Sequence, residues 1–257
     1  MAFVFGMLVE TAAIPVVVAV VVTWFTNRFS RLSGHAVTTG VAAGFVAGWY
    51  SQEFAVWIPE RYLDWMPLAA LFFLLLPRLV VLPATFLLVP SFASLQPPRP
   101  VAIGMVATGI YVFGLFVEKA ASQVRQRLLT AVLMATGTSC SIVLVQSSSL
   151  KLAQIGGILT AALAPGAFWS GDPDRNSKGL AMLFFGLLSN LMFIGYANTY
   201  SDVPVWCFAL PLAAPTLMIW NPSAGWQKKA RIVAIATILL VAVVPALLAH
   251  PPWEDEL

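Results

Sequence analysis

Ten long apolar runs, separated by short polar stretches, constrain the fold of this chain more than any other feature. They lie at about 3–25, 35–50, 63–77, 79–94, 101–117, 128–146, 150–168, 179–197, 203–220 and 231–249. The runs are continuously apolar rather than alternating, which is typical of membrane-spanning helices and not of barrel strands. Several are shorter than the roughly 20 residues that cross a bilayer, so we expect some short or kinked helices. The pattern predicts an all-α integral membrane protein, a compact bundle of about ten transmembrane helices.

The composition excludes most other classes of protein. Of the 257 residues, 60% are hydrophobic and 10% are charged, whereas a soluble domain carries about 25% charged residues. Such a chain has too few charged residues to cover the surface of a water-soluble fold. The composition therefore excludes a soluble globular protein, a disordered tail, a coiled coil and a nucleic-acid-binding module. Ten spans of roughly 20 residues leave about 57 residues for loops and tails. We therefore expect one transmembrane domain over 1–257, in contact with the lipid bilayer and without a soluble domain.

The segment Met66–Leu95 has two interpretations, one long span or a tight hairpin that turns at Pro77 and Arg78. Basic residues decide between them, because cytoplasmic loops are enriched in Lys and Arg. A nine-span chain leaves Arg78 in the membrane, where a charge costs about 2.5–3.5 kcal/mol. The ten-span chain avoids that cost, so we predict the hairpin, with Pro77 and Arg78 at the inner surface.

The same basic residues orient the bundle. With ten spans and an external N-terminus, eleven of the fourteen Lys and Arg residues lie inside. The inner residues are Arg28, Arg31, Arg78, Lys119, Arg125, Arg127, Arg175, Lys178, Lys228, Lys229 and Arg231, and the outer ones are Arg61, Arg99 and Lys151. This asymmetry predicts that both termini are outside. We expect a multi-pass protein of the plasma membrane, which is the inner membrane if the chain is bacterial.

Ten spans divide into two sets of five, and an odd number of spans per set forces the sets into opposite orientations, as in many transporters. The halves 1–117 and 128–249 are nearly equal in length. Their first spans are both expected to be interrupted near mid-membrane, and their second spans are both rich in small residues. Because apolar spans draw on few residue types, chance likeness explains these features equally well. An inverted five-plus-five repeat is therefore one of two interpretations.

Glu10 is the only acidic residue deep inside a predicted span. An intramembrane carboxylate is a candidate for proton coupling or for binding a cation. Pro15 has no N–H and frees the carbonyl of Thr11, which would help to form a small cation site. Two structural alternatives remain. Glu10 would form an ion pair with Lys151 if the first and seventh spans are neighbours, or it would lie in the outer headgroup region if the first span starts at Thr11.

Two further polar features lie within predicted spans. Six small residues run from Thr136 to Ser141, and five of them bear a hydroxyl or a thiol. The functional interpretation is a partly unwound stretch that lines a cavity, with Thr136, Thr138 and Ser139 as candidate binding residues. The structural one is close packing, with hydroxyls bonded to carbonyls of the preceding turn. Asn190, near the middle of its span, is a candidate ligand-binding residue or a source of interhelical hydrogen bonds.

Gly40, Gly44 and Gly48 repeat at four-residue spacing in the second span. This spacing puts the three glycines on one helix face, where another backbone can approach closely. We predict a helix-packing role for them. The partner is a helix of the same chain or of a second subunit.

Motifs of enzymes are missing from this sequence. It has no H-E-x-x-H, G-x-S-x-G, phosphate-binding or dinucleotide-binding pattern, and its two histidines are predicted on opposite sides of the membrane. We therefore expect no catalytic residue, metal ligand or cofactor. The leading hypothesis is a permease for a small molecule or an ion with a polar site near the midplane. The alternative is a non-catalytic subunit or assembly factor of a larger membrane complex.

Overall fold

A computed structural model describes residues 9–28, 33–52, 62–75, 99–147, 149–168, 179–197, 202–219 and 225–249. Every regular element within these ranges is helical. The α-helices are α1 (Ile14–Arg28), α2 (Ala36–Tyr50), α3 (Met66–Leu75), α4 (Arg99–Ala121), α5 (Gln126–Gln146), α6 (Leu150–Ala161), α7 (Ala164–Phe168), α8 (Leu180–Ala197), α9 (Val205–Ala213) and α10 (Gly225–Leu248). Helices of the π and 3₁₀ types occupy Val9–Ala13, Ser33–His35, Tyr62–Trp65 and Ala214–Ile219.

The helices coincide with the apolar runs wherever the structure describes the chain. Nine of the ten runs lie over helical segments, whereas the run 79–94 and the predicted hairpin turn at Pro77 and Arg78 lie outside the described residues. Within the described ranges, five helical segments are long and apolar enough to cross a membrane, namely Thr11–Arg28, Gln126–Gln146, Leu150–Phe168, Leu180–Ala197 and Gly225–Leu248. The described part of the protein is therefore all-helical, and its apolar helices mark it as a membrane protein.

Prolines account for the irregular helices. The π-helical turn Val9–Ala13 immediately precedes α1, whose second residue Pro15 has no N–H to bond to the preceding turn. The helix that begins at Leu150 ends at Ala161 and restarts at Ala164, where Pro165 fits the first turn. These interruptions agree with the expectation of short and kinked helices.

A proline also explains why α9 changes to a 3₁₀ helix. Pro215 cannot donate to the carbonyl of Pro211, because it has no N–H. That carbonyl instead accepts a hydrogen bond from the N–H of Ala214. Because this hydrogen bond spans three residues instead of four, the chain tightens into the 3₁₀ geometry of Ala214–Ile219.

The run 128–146 is not interrupted, so the expected break near mid-membrane was wrong, and the alternative interpretation of a continuous helix with internally bonded hydroxyls describes this span. Residues Gln126–Gln146 form one continuous α-helix. Thr138 donates its hydroxyl to the carbonyl of Met134 and Ser141 donates to that of Gly137, each at 2.9 Å. Because these hydroxyls find acceptors in the turn before them, the helix does not need to unwind to satisfy them.

The last helix starts six residues earlier than its apolar run. Lys, Gln, Ala and Arg are strong helix formers, so α10 begins at Gly225 and extends through the basic segment. Arg231, expected in an inner loop, consequently lies within the helix and is only 6% exposed. The 24 residues of α10 reach about 36 Å, enough to cross a hydrocarbon core.

Burial identifies the centre and the periphery of the bundle. In α8, fifteen of eighteen residues are buried, and this helix packs against α2, α3, α4, α5, α6 and α9. In α10, only six of 24 residues are buried. Its exposed side chains include Ile232, Val233 and Leu240. We conclude that α8 occupies the core while most of α10 faces outward.

Candidate functional site

The three hydroxyl residues of α5 that the sequence singles out do not share one environment. Thr136 is buried, and its Oγ1 has no hydrogen-bond partner among the described residues. Ser139 is also buried, whereas Thr138 is exposed and bonded to its own helix. At about 100° per residue, Thr136 and Ser139 occupy adjacent faces of the helix and Thr138 points elsewhere. Only Thr136 therefore presents a buried hydroxyl that is known to lack a partner.

Asn190 lies in the middle of α8 and is fully buried. Its Nδ2 donates to the carbonyl of Gly186, one turn earlier, and its Oδ1 has no partner among the described residues. The helices α5 and α8 are in contact, since Gly137 packs against Phe184 and Gly195 packs against Leu144. No hydrogen bond between described residues joins Asn190 to Thr136 or Thr138. The structure thus brings the two helices together without linking these polar groups.

Glu10 belongs to the π-helical turn Val9–Ala13, but its side chain lies outside the described residues. The turn packs against α6, the helix whose second residue is Lys151. The first and seventh predicted spans are therefore neighbours, which is the condition under which an ion pair between Glu10 and Lys151 was expected. That ion pair itself stays a prediction.

The glycine series of α2 lies against α1 of the same chain. A methyl group added at Gly44 would lie 2.5 Å from the carbonyl oxygen of Pro15 and 2.7 Å from the Cβ of Ala19. At Gly40 it would overlap the hydroxyl of Thr23, and at Gly48 it would lie 2.5 Å from Cγ of Pro15. Because no side chain separates the two backbones, α1 and α2 approach more closely than larger residues would permit.

A cavity of about 560 Å³ lies between α4, α8 and α9. This volume falls within the range of about 300–1,000 Å³ that is typical of small-molecule sites. Its lining is formed by Gly109, Ile110, Phe113, Phe185, Ser189, Met192, Phe193, Tyr196, Val205, Trp206, Phe208, Ala209, Leu210, Leu212 and Ala213. None of these fifteen residues carries a carboxylate, ammonium, guanidinium or imidazole group. The cavity is therefore suited to an uncharged, mainly apolar guest.

Ser189 is the most deeply buried polar residue of the cavity wall. It is 3% exposed, and its Oγ has no hydrogen-bond partner among the described residues. Ser141 and Thr160 each donate to the carbonyl four residues earlier, whereas Thr23, Thr130 and Thr136 are buried without a partner among the described residues, as Ser189 is. A buried hydroxyl without a partner costs stability unless something else satisfies it. Ser189 is thus one of four buried hydroxyls in the described residues that lack a partner, and its Oγ is too deeply buried to contact a guest directly.

Two of the cavity-lining helices are joined by Glu118, near the end of α4. One carboxylate oxygen accepts the backbone N–H of Gly179 at 2.8 Å, and the other accepts that of Met182 at 3.2 Å. The first N–H groups of a helix have no acceptor within it, and a carboxylate also suits the positive end of the helix dipole. Glu118 therefore caps α8 from a different helix and holds the α4 and α8 walls of the cavity together.

Sequence reasoning missed both the cavity and Glu118. The residues that form the cavity come from three helices and span more than 100 positions of the chain, from Gly109 to Ala213, so no local pattern connects them. One signal in the sequence could have identified Glu118. It is an acidic residue at the predicted inner end of its span, on the side of the membrane where the span of α8 is predicted to begin. Among the described residues, no group of three or more His, Cys, Asp or Glu side chains could hold a metal ion.

Comparison of the chain with known protein families, with curated proteins and with solved structures found no match.

Proposed function

We propose that the protein is a permease that carries a small uncharged molecule across the membrane and binds it in the cavity between α4, α8 and α9. The observation that carries this proposal is the cavity itself, an apolar space of about 560 Å³ between three apolar helices that is partly open to the outside of the bundle. Binding sites for small molecules are mainly apolar with a few placed polar groups. The arrangement supports a solute rather than an ion.

The electrostatics of the lining favour this choice. A bare ion in an apolar cavity loses its hydration without gaining a counter-charge, which is costly. The fifteen lining residues supply no charged group. Ion coupling, if it occurs, would use the separate polar positions Glu10, Thr136 and Asn190, which we retain as candidates for a second site.

The proposal includes a ten-span topology over 1–257, with both termini outside and the protein in the plasma membrane. It also includes an inverted repeat of 1–117 and 128–249. In support of the repeat, the first two helices of each half pack through small residues. In the first half Gly44 of α2 meets α1, and in the second half Gly156 of α6 meets Ser141 of α5.

We further propose that the protein is a carrier without catalytic activity or a bound cofactor. The rival function is a subunit of a larger membrane complex. The exposed aliphatic face of α10, which includes Val233, Leu240 and Val244, would be the surface for a partner helix. Purification in a mild detergent distinguishes the two, because a subunit should retain partners in fixed stoichiometry and a carrier should remain stable alone.

Transport is tested with the purified chain in proteoliposomes, using a panel of uncharged and charged radiolabelled solutes. Gly109 lines the cavity and has open space around it, so Gly109→Leu should fill the cavity without straining the backbone. Gly157 has similar open space on α6 and lies outside the cavity lining, so Gly157→Leu is the matched control.

We expect saturable uptake of an uncharged solute by the wild type and by Gly157→Leu, and loss of uptake in Gly109→Leu. Equal uptake by all three proteins would show that the cavity is not the transport site. A lack of saturable uptake of every solute would refute the permease.

A further inference from the structure

We infer that the cavity between α4, α8 and α9 opens sideways to the bilayer and holds one acyl chain of a membrane phospholipid. This lipid contact would exist whether or not the protein carries a solute, and it therefore goes beyond the proposed function. A solute that binds in the cavity would have to displace the chain. Three properties of the cavity support the inference, namely its open apolar rim, its length and its narrow section.

The cavity has a buried aromatic floor. Phe185 and Met192 of α8 and Phe208 of α9 line it, and each is at most 4% exposed. Phe113 of α4 stacks on Phe185 with ring centroids 6.5 Å apart, and Phe208 meets Tyr196 edge to face at 5.9 Å. These ring contacts join the three helices beneath the opening. A guest in the cavity would therefore contact protein on more than one side.

The rim is apolar along both of the helices that form it. Phe113 of α4 is 46% exposed, and its neighbours Val112 and Phe116 are exposed too. On α9, Val205 is 58% exposed and Trp206 is 42% exposed. Lipid tails are as apolar as aliphatic side chains, whereas water needs polar partners that this rim does not supply. The opening therefore faces the hydrocarbon of the bilayer rather than an aqueous channel.

The length of the cavity matches one leaflet. Its lining on α8 runs from Phe185 to Tyr196, which is about 16 Å at 1.5 Å per residue. Half of a hydrocarbon core of about 30 Å is about 15 Å. One end lies where α8 ends and α9 begins, and it is lined by Tyr196 and Trp206, residue types that are enriched at the headgroups. The other end lies beside Phe113, near the middle of α4. The cavity thus extends from the headgroups to the middle of the bilayer.

The section of the cavity suits a single chain and excludes a helix. A volume of about 560 Å³ over a length of about 16 Å gives a mean section of about 35 Å². An α-helix with a diameter of about 10 Å has a section of roughly 80 Å². A helix of a second copy or of a partner protein is therefore too wide for the cavity, whereas a file of methylene groups can enter. An empty cavity would lack the dispersion contacts that a chain from the bilayer supplies.

Photolabelling of the full chain in phosphatidylcholine nanodiscs tests the inference. Two phosphatidylcholine probes carry a diazirine on one acyl chain, one near the ester end and one near the methyl end, and mass spectrometry locates the adducts. We expect the ester-end probe to label the end of the cavity at Tyr196 and Val205. The methyl-end probe should label the end at Phe113 and Phe185.

The lining should also be labelled more often than a helix face that touches lipid on one side only. Leu240 and Val244 of α10 are exposed in this way. We expect about fivefold more adducts per residue in the lining, the ratio that about ten additional carbon contacts produce. Gly109→Leu fills the cavity and should lower labelling of the lining to the level of α10. Gly157→Leu, which has open space outside the lining, should leave the labelling unchanged.

Equal adduct frequencies on the lining and on α10, a reversed order of the two probes, or equal labelling of the lining in both glycine variants would overturn the inference. If Gly109→Leu does not fold, the order of the two probes along the wild-type cavity still tests it. The outcomes for transport are separate. Labelling of the lining without saturable uptake of any solute refutes the permease and leaves the lipid site standing. Saturable uptake with adducts spread evenly over the apolar surface supports the permease and refutes the lipid site.

Discussion

The carboxylate of Glu118 and the backbone N–H of Gly179 lie 2.8 Å apart and join two helices that are far apart in sequence. Gly179 has a φ of 79°, which is accessible to glycine at little cost and turns the chain into α8. The second oxygen of Glu118 accepts the N–H of Met182 in the first turn of α8. One side chain thus fixes the entry of the most buried helix of the bundle.

Removal of this carboxylate should destabilise the protein. We expect Glu118→Ala to lower the free energy of unfolding by about 0.5–2 kcal/mol, as the loss of a helix N-cap does. Glu118→Gln should lose less, since the amide keeps one acceptor oxygen. Thermal unfolding in detergent measures both.

Ser122→Ala provides the control for this prediction. Its hydroxyl is exposed and donates to the nearby carbonyl of Lys119. We expect a change of less than about 0.5 kcal/mol for this exposed site. An unfolding temperature of Glu118→Ala equal to that of Ser122→Ala would show that the cap does not contribute to stability.

The close approach of α1 and α2 gives a second prediction. Gly44→Ala places a methyl group 2.5 Å from the carbonyl oxygen of Pro15, so one helix must move. Overpacking of this kind costs about 1–3 kcal/mol. Gly157→Ala on α6 meets nothing within 4 Å, and its effect should be neutral or stabilising by up to about 1 kcal/mol. The order of the two unfolding temperatures checks the prediction, and the reverse order contradicts it.

A third prediction compares two threonines of α5. Thr136 has a buried hydroxyl without a partner among the described residues, and Thr138 has an exposed one that bonds to Met134. Thr136→Val keeps the shape of the side chain and removes the unsatisfied hydroxyl, so the free energy of unfolding should stay equal or rise by about 1 kcal/mol.

If the Thr136 hydroxyl contacts the solute or a coupling ion, uptake should fall in Thr136→Val and not in Thr138→Val. A loss of stability in Thr136→Val with uptake unchanged would assign the hydroxyl to structure.

The fourth prediction concerns topology. Reporters fused after Gly171 and after Gly225 should be cytoplasmic, and one fused after Glu256 should be external, because eleven of fourteen basic residues then lie inside. Protease protection and cysteine labelling of inverted vesicles provide the measurement. A cytoplasmic C-terminus would exclude the ten-span arrangement.

The sequence predicted the helices well because a membrane span needs a long apolar run and every backbone group must be satisfied within it. The boundaries were less accurate. The start of α10 was missed because Lys and Arg end an apolar run without ending a helix. The sequence left the continuity of α5 open, because hydroxyl-rich segments suit either an opened helix or hydrogen bonds to the preceding turn, and only the structure shows the acceptor of Thr138.

The candidate site was less accessible to sequence reasoning than the helices. Ser189 has no sequence signal of its own, because a serine in an apolar helix is normally bonded within that helix. Its place in the cavity wall depends on the position of Phe113 and Phe208 around the same space, which follows from how three helices pack. Tertiary contacts of this kind leave no periodic pattern in a single sequence.

The position of α8 at the centre of the bundle also determines where this chain can change over time. Fifteen of its eighteen residues are buried, so almost any substitution there alters a neighbouring helix. On α10, where six of 24 residues are buried, one aliphatic residue can replace another against fluid lipid. Descendants of this sequence should therefore diverge quickly along α10 and slowly along α8. Of these two helices, α10 exposes more apolar residues and should tolerate more substitutions than α8.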